Sequence, residues 1–394
     1  KMGIRGLTKL LSETVPASIT ENKLKNYFSR KVAIDANMAM YQFLIGYRSS
    51  GMDLADDTGE VTSHLSGLLY RTAKLLELGI KPIFVFDGDA PVMKSEELQK
   101  RREKRDAALK ELEEAKETAD EEMVTKLSKR VIRVSREQCD EGIKLLEMLG
   151  IPAIRAAGEA EAQCAAMAKA GKVYGTATED TDALTFGTPK LLRHFTGTEG
   201  IVKEINLEVI LKDLELTMDQ FIDICILCTC DYCGSIRGIG PKKALQFIKQ
   251  YGNIEGVIEH VKDSKSYVVP EVFEYKQARE IFNNPAVIPV DDIKLSWKEP
   301  NEEKIVEFLC KEKKFQEERV RKVIMRIKKA RRKGTQKRLT NFFKVTGSTK
   351  SSTLIKAEKE EAAAKKILKN KKGARKRKSA AKQEPAKKKK RYTF

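Results

Sequence analysis

Seven acidic residues stand where bound cations or proton transfer would need them. Asp35 ends the apolar run Val32-Ala33-Ile34, and Asp87 ends Ile83-Phe84-Val85-Phe86. Glu159 and Glu161 follow a run ending near Ile154, Asp180 and Asp182 follow one around Val173 to Ala177, and Asp231 follows the apolar stretch from Cys225 to Leu227. A single acid at a helix start is usually a cap or a solvated loop group. The set is harder to dismiss. Glu159/Glu161 and Asp180/Asp182 lie two apart in segments 156–164 and 176–186, which contain no Lys or Arg. Two carboxylates about 4 Å apart repel by roughly 4 kcal/mol at an effective dielectric of about 20. Such pairs demand cations or raised pKa values. Oxygen donors without His or Cys suit Mg²⁺ or Mn²⁺ rather than zinc. Two such ions about 4 Å apart support an in-line phosphoryl displacement. There is no Walker loop, and the chain has only 3 His residues, so NTP hydrolysis and His-based nuclease chemistry lose ground.

Cations stand near the acids. Lys94 follows the Asp87 run by one short loop, and Arg101 lies seven residues further on. On a helix the two share a face two turns apart, and that face could overhang the acids and stabilise charge on a scissile phosphate. A solvated helix face is the plainer alternative. Lys129, Arg130 and Arg133 line the returning end of the same charged stretch. Gly238-Ile239-Gly240-Pro241-Lys242-Lys243 combines close backbone approach, a helix start and two lysines. That combination favours a sequence-independent grip on duplex phosphates over a mere inter-helix turn.

These groups need a frame. Apolar runs at 31–34, 82–86, 151–154 and 172–177 predict strands, with helix-like stretches such as 64–78 and 159–169 between them. The alternation predicts an α/β fold with a parallel-rich central sheet flanked by helices. Sites in such sheets form outside the carboxyl ends of the strands. Residues 94–138 are highly charged, helix-favouring and free of Gly and Pro, which predicts a helical insertion. From Asp219 onward the pattern is mostly helical, with 235–243 a turn between two helices and 302–329 the last globular-looking segment.

The 394 residues allow one large domain or two to three smaller ones. The net charge of +19 is concentrated at one end: residues 344–394 hold 19 basic and 4 acidic side chains, so the body is only mildly basic. No apolar run approaches the roughly 20 residues of a membrane span, and the N-terminus lacks a secretory signal. A cytosolic or nuclear protein with no membrane partner is expected. Seven cysteines in such a chain argue against a disulfide framework. Cys225, Cys228, Cys230 and Cys233 fall within nine residues. A zinc or iron–sulfur site is one reading. Packing in a buried helix is the better one, because no second ligand knuckle accompanies them.

Gln336, Leu339, Phe342 and Phe343 follow the pattern Q-x-x-L-x-x-F-F in a basic setting with no core to join. A short turn there would offer apolar anchors to a partner's pocket. Residues 346–394 have too few apolar groups to offset ordering entropy, so disorder is expected. Arg375-Lys376-Arg377-Lys378 and 387–391 read as nuclear import signals or as a nonspecific DNA grip.

Six stretches in order resemble the eukaryotic flap endonucleases: Met-Gly-Ile-Arg-Gly-Leu (2–7), Arg-Lys-Val-Ala-Ile-Asp-Ala (30–36), Val-Phe-Asp-Gly (85–88), Glu-Ala-Glu-Ala (159–162), Ala-Thr-Glu-Asp-Thr-Asp (177–182) and Asp-Tyr-Cys-Gly-Ser-Ile-Arg-Gly-Ile-Gly-Pro-Lys (231–242). Any one is weak, but together they are highly specific and extend the resemblance over residues 2 to about 345. The resemblance implies a 5′-nuclease fold of the PIN type, with two Mg²⁺ ions held by Asp35, Asp87, Glu159, Glu161, Asp180, Asp182 and Asp231, and Mn²⁺ able to substitute. It implies Lys94 and Arg101 as catalytic cations at the base of a helical arch threaded by the 5′ flap. Tyr41 resembles the residue that stacks on a base near the cut, and Arg48 and Arg71 resemble DNA-contacting positions. A helix–two-turn–helix element over about 219–251 would grip duplex DNA with a bound K⁺. The Q-x-x-L-x-x-F-F pattern resembles the family's sliding-clamp-binding box.

The expected organisation is a nuclease core at 1–333, a clamp box at 334–345 and a disordered basic tail at 346–394. Within the core lie an N-terminal region (2–107), an arch (about 94–138) and an internal region (about 125–255). The implied work is cleavage at the base of 5′ flaps, with 5′–3′ exonuclease activity, in Okazaki fragment maturation and long-patch base excision repair. The agent would be a nuclear monomer, with nucleolus and mitochondrion as further sites. Another nuclease of the superfamily, an RNA nuclease and a non-catalytic clamp-bound scaffold are the alternatives; all seven acids being present weighs against the scaffold. Three departures stand out: Lys1 precedes Met2, Gly158 stands where Ser is usual, and Cys228-Thr229-Cys230 stands where Leu-Gly-Ser is usual.

Overall fold

Apolar residues at nearly every position of the central strands give the sheet two buried faces. The computed structural model describes residues 3–49, 62–89, 91–118, 120–197, 200–264 and 266–332, all within one unit, Lys1–Gln336. Seven strands form one sheet: β1 (Ile19–Lys23), β2 (Lys31–Asp35), β3 (Lys81–Phe86), β4 (Ala153–Arg155), β5 (Thr176–Ala177), β6 (Lys190–Arg193) and β7 (Ile201–Asn206). Their order is β1-β7-β6-β5-β2-β3-β4. β6, β5, β2, β3 and β4 run parallel, while β7 is antiparallel to β6 and β1 to β7. The expected parallel-rich α/β sheet is therefore present.

Val32, Ile34, Phe84 and Phe86 pack under the helices Ala36–Ser49, Ser63–Glu77, Arg136–Met148 and Glu317–Arg332. Ala33, Ile83 and Val85 point the other way, against the helix Ala160–Lys169. This two-residue period, buried on both faces, is why the strands read as continuous apolar runs. From β2 the chain builds outward through β3 and β4 on one side, then returns to place β5 on the other. The order reverses between β2 and β5, the place where open α/β sheets form a crevice.

Some boundaries differ from expectation. The strand expected at 151–154 begins at Ala153, because the Ile151 N–H closes the preceding helix on Leu146 O (2.9 Å). The strand expected at 172–177 is regular only at Thr176–Ala177, although Tyr174 N–H already bonds Lys31 O (2.8 Å). The insertion is two helices, Ser95–Glu117 and Glu121–Arg130. Asp120 breaks them apart and caps the second by accepting the Met123 N–H (2.9 Å). They share a small core of Ala108, Leu112, Ala115 and Leu127. Residues 136–138 already belong to the sheet-packing helix, started by a Ser135/Gln138 capping box. The glycine segment separates the helices Met218–Leu227 and Pro241–Tyr251, as expected. No described helix is long and apolar enough to cross a membrane.

Candidate active site

Asp35, the last residue of β2, is only 2% exposed. Its Oδ1 accepts the Met38 N–H (2.9 Å), which caps the following helix, and its Oδ2 accepts the Thr178 hydroxyl (2.8 Å) from the loop after β5. One carboxylate thus bridges the two strands that flank the crevice. Asp87 directly follows β3 and accepts the Ala160 N–H (2.9 Å). Glu159 is the N-cap of that same helix, with Glu161 in its first turn. Asp180 accepts the Asp182 N–H (2.9 Å). The six acids expected at the carboxyl edge are all there. Asp231 joins them from the segment after Met218–Leu227, within reach of the same cation as Glu159.

Burial and crowding raise the proton affinity of five of them. Burial, then the Asp87 charge, pushes Asp35 up to about 7. Burial together with neighbouring carboxylates also lifts Asp87 and Asp180, and lifts Glu161 and Asp182 well above the usual carboxylate range.

The cations come from the arch. Lys94 immediately precedes the first arch helix, and its ammonium pairs with Glu159 and stands 3.4 Å from Asp231. Burial alone would lower its pKa, but Glu159, Glu161 and Asp231 outweigh burial and hold it above the usual lysine range. Arg101 Nη2 donates to Asp231 at 2.7 Å, and its Nε donates to Glu97 at 3.1 Å. The shared face expected of Lys94 and Arg101 therefore converges on one acid.

The donor set is all oxygen, and the buried Asp182 Oδ1 has no hydrogen-bond partner among the described residues, which is the condition a hard cation satisfies. Among the described residues, no three Asp, Glu, His or Cys side chains close into a ready metal cage. The residues fit divalent ions by chemistry, with Lys94 holding the place of positive charge.

Three contributors were not foreseen. Tyr232, buried beside Asp231, donates its hydroxyl to Glu159 Oε2. Thr178 anchors Asp35. Gly3 (φ +73°) lies so close to the site that a Cβ there would overlap Asp180 Oδ1 and stand 2.7 Å from Thr181 N. Each depends on contacts between distant segments; Gly3, Thr178 and Tyr232 stand within the stretches 2–7, 177–182 and 231–242, but nothing local to them announces these contacts.

Other expected residues lie further out. Tyr41 is partly exposed on the helix that starts after Asp35. Arg71 is half-buried and donates to Gly197 O (2.9 Å). Lys129 and Arg130 end the second arch helix, and Arg133 is exposed just beyond it. Gly238 takes φ +94°, with a Cβ position 2.7 Å from Ser266 O, so the turn there requires glycine. Gly240 is the N-cap before Pro241. Lys242 pairs with Glu13 (2.7 Å), while Lys243 donates to Gly238 O (3.2 Å) and lies over the Tyr267 ring. The Arg48 side chain, Gln336, Leu339, Phe342, Phe343 and the basic tail lie outside the described residues. Cys225 and Cys228 are core residues, as expected, whereas Cys233 is partly exposed.

Residues 2–108 match the family model of the XPG N-terminal domain and 150–231 that of the XPG I-region. The chain is 53% identical to a flap endonuclease 1 of Naegleria gruberi over 347 residues, which covers 87% of this chain and 89% of that protein. Among solved structures, a flap endonuclease-1 from Methanococcus jannaschii aligns with TM-score 0.62 and 35% identity over 79% of this chain and 96% of its own. The catalytic core of Rad2 in complex with DNA substrate aligns with TM-score 0.62 at 24% identity, over 82% of this chain and 100% of its own, a likeness of fold. The acid-lined sheet edge, the cationic arch base and these likenesses coincide along the same residues: the chain belongs to the flap endonuclease family.

Proposed function

We propose that this protein is a structure-specific 5′ flap endonuclease, with accompanying 5′–3′ exonuclease activity, that works with two Mg²⁺ ions held by the seven acids; Mn²⁺ would serve in their place. The observation that carries this reading is the convergence of Lys94 and Arg101 from the arch base onto Glu159 and Asp231. The chemistry supplied by the bound ions is activation of a water and neutralisation of the leaving oxygen. For that, Lys94 must release Glu159 and turn to the scissile phosphate, where Arg101 joins it. Tyr232 keeps Glu159 oriented during the exchange. The turn around Gly238 and Gly240, with Lys242, Lys243 and a bound K⁺, would grip the duplex backbone without reading sequence. Tyr41, Arg48, Arg71, Lys129, Arg130 and Arg133 would contact DNA near the cut and along the arch.

The Q-x-x-L-x-x-F-F segment would dock on a sliding clamp, placing a nuclear monomer in replication and long-patch repair. The test is cleavage of a labelled double-flap DNA with Mg²⁺, with EDTA and with Asp180→Ala. A cut at the flap base that needs Mg²⁺ and vanishes in the variant, with binding retained, supports the reading. Binding without cleavage in Mg²⁺ or Mn²⁺ would favour a clamp-bound scaffold.

A further inference from the structure

The segment that presents Asp231 is bracketed by two thiols. Cys230 Sγ and Cys233 Sγ lie 3.6 Å apart. A disulfide needs about 2.05 Å between sulfurs, so closure asks for a shift of roughly 1.5 Å. The backbone beside them is unusual as well. Thr229 holds φ +87°, a left-handed conformation that a β-branched residue rarely adopts. Cys230 is buried and Cys233 is partly exposed, so one sulfur can meet a solvent-borne reagent while the other waits beside it. Asp231, between them, carries the contacts to Arg101 and Lys94.

We propose that Cys230 and Cys233 are a redox modification site that closes to a reversible intramolecular disulfide on reaction with a low-molecular-weight disulfide such as oxidised glutathione. The Cys233 sulfur, on losing its proton, attacks one glutathione sulfur, forming a mixed disulfide and releasing one glutathione thiol. The Cys230 thiolate then attacks the Cys233 sulfur, forming the protein S–S bond and releasing the second. Two protein thiols are oxidised, one glutathione disulfide is reduced to two thiols, and the two thiol protons leave with them. Excess thiol reverses the exchange. In chains without a disulfide framework, such bonds are usually transient and redox-sensing. The closed bond constrains the Tyr232 backbone and with it the hold of Asp231 on Arg101 and Lys94.

The effect on cleavage rests on the proposed nuclease activity, but the bond itself does not, so the two are read separately. The full chain is incubated with oxidised glutathione, alkylated and mapped by peptide mass spectrometry. The expected product has Cys230 and Cys233 linked and protected from alkylation, with Cys310, the other partly exposed cysteine, as the control for general oxidation. Flap cleavage by the oxidised protein is expected to fall by at least about tenfold, as for loss of support around a metal ligand, and to return with dithiothreitol. Cys230→Ser and Cys233→Ser, checked for folding by circular dichroism, should cleave normally and ignore oxidised glutathione. A mixed disulfide that stays on Cys233, or oxidation spread equally to Cys310, overturns the site. A mapped bond with unchanged cleavage in an active enzyme overturns its control of Asp231. A mapped bond in a protein that never cleaves leaves the modification site standing and removes the nuclease reading instead.

Discussion

The Lys94 ammonium is paired with Glu159, 65 residues further along the chain, and the same nitrogen stands 3.4 Å from Asp231. The two acids belong to different parts of the molecule, one at the head of the helix after β4 and the other beyond the Met218–Leu227 helix. A single side chain on the first arch turn therefore ties three segments together. In the nuclease reading it leaves the acids when the phosphate arrives. Lys94→Ala is expected to slow single-turnover flap cleavage by about 10²-fold or more, the scale of losing one preorganised charge donor. Duplex affinity should change little, and divalent ions should bind more tightly once the competing ammonium is gone. Calorimetric titration and quenched-flow cleavage test both. A parallel loss of affinity and rate would make Lys94 a docking residue instead.

The five raised carboxylates set a pH dependence. Asp35 at about 7, with Asp87, Glu161, Asp180 and Asp182 also above their ordinary range, bind protons more readily in the folded protein than in the unfolded chain. Stability from such groups is fully present below their unfolded pKa values and is lost as pH rises through the folded ones. The metal-free protein should therefore melt at progressively lower temperature from about pH 5 to about pH 8. Mg²⁺ should restore more stability at the upper end, because ions and protons compete for the same oxygens. Melting curves in EDTA and in Mg²⁺ at both pH values decide this. A flat EDTA profile would mean that the acids ionise normally.

The acids were legible because each ends an apolar run or opens a helix, and both positions are local signals. Four of the five parallel strands were legible for the same reason: in β2 and β3, Val32, Ile34, Phe84 and Phe86 read as strand without knowledge of their neighbours. β1, β6 and β7 were not. β1 (Ile-Thr-Glu-Asn-Lys) is polar and leaves three of its five residues exposed, so only its pairing with β7 makes it a strand. The break at Asp120 escaped notice because charge and helix propensity continue unchanged across it. The hydroxyl of Tyr232 on Glu159 and the approach of Gly3 to Asp180 depend on tertiary closure, which spacing does not encode.

Arg279 joins three helices around the glycine turn. Its guanidinium grips Asp223 at 2.8 and 2.9 Å and Glu255 at 3.0 Å on both nitrogens. Asp223 is 2% exposed and also accepts the Ile254 N–H (3.1 Å). Arg279→Ala would strand that buried carboxylate, at a cost of about 3–5 kcal/mol. Arg279→Lys should recover only part, since an ammonium lacks the two-pronged geometry. Urea unfolding measures both. An alanine variant within about 0.5 kcal/mol of the parent would place Asp223 in contact with water.

Lys242 and Lys243 begin the same helix but start from different partners. Lys243 packs over the Tyr267 ring at 4.7 Å and donates to Gly238 O, so its charge is held near the turn. Lys242 is paired with Glu13 at 2.7 Å and must leave it to reach a phosphate. Each lysine that neutralises a phosphate adds about 0.9 to the slope of log affinity against log salt. Lys243→Ala should therefore lower the slope by about one, uniformly across DNA sequences. Lys242→Ala should cost less affinity, because breaking the Glu13 pair offsets part of its gain. Glu13→Ala makes the distinguishing case: freeing Lys242 should tighten flap DNA binding, most clearly at low salt. Anisotropy titrations from about 50 to about 200 mM salt read all three. Unchanged slopes in both lysine variants would take the side chains out of the interface and leave the backbone N–H groups of the glycine turn to hold the duplex.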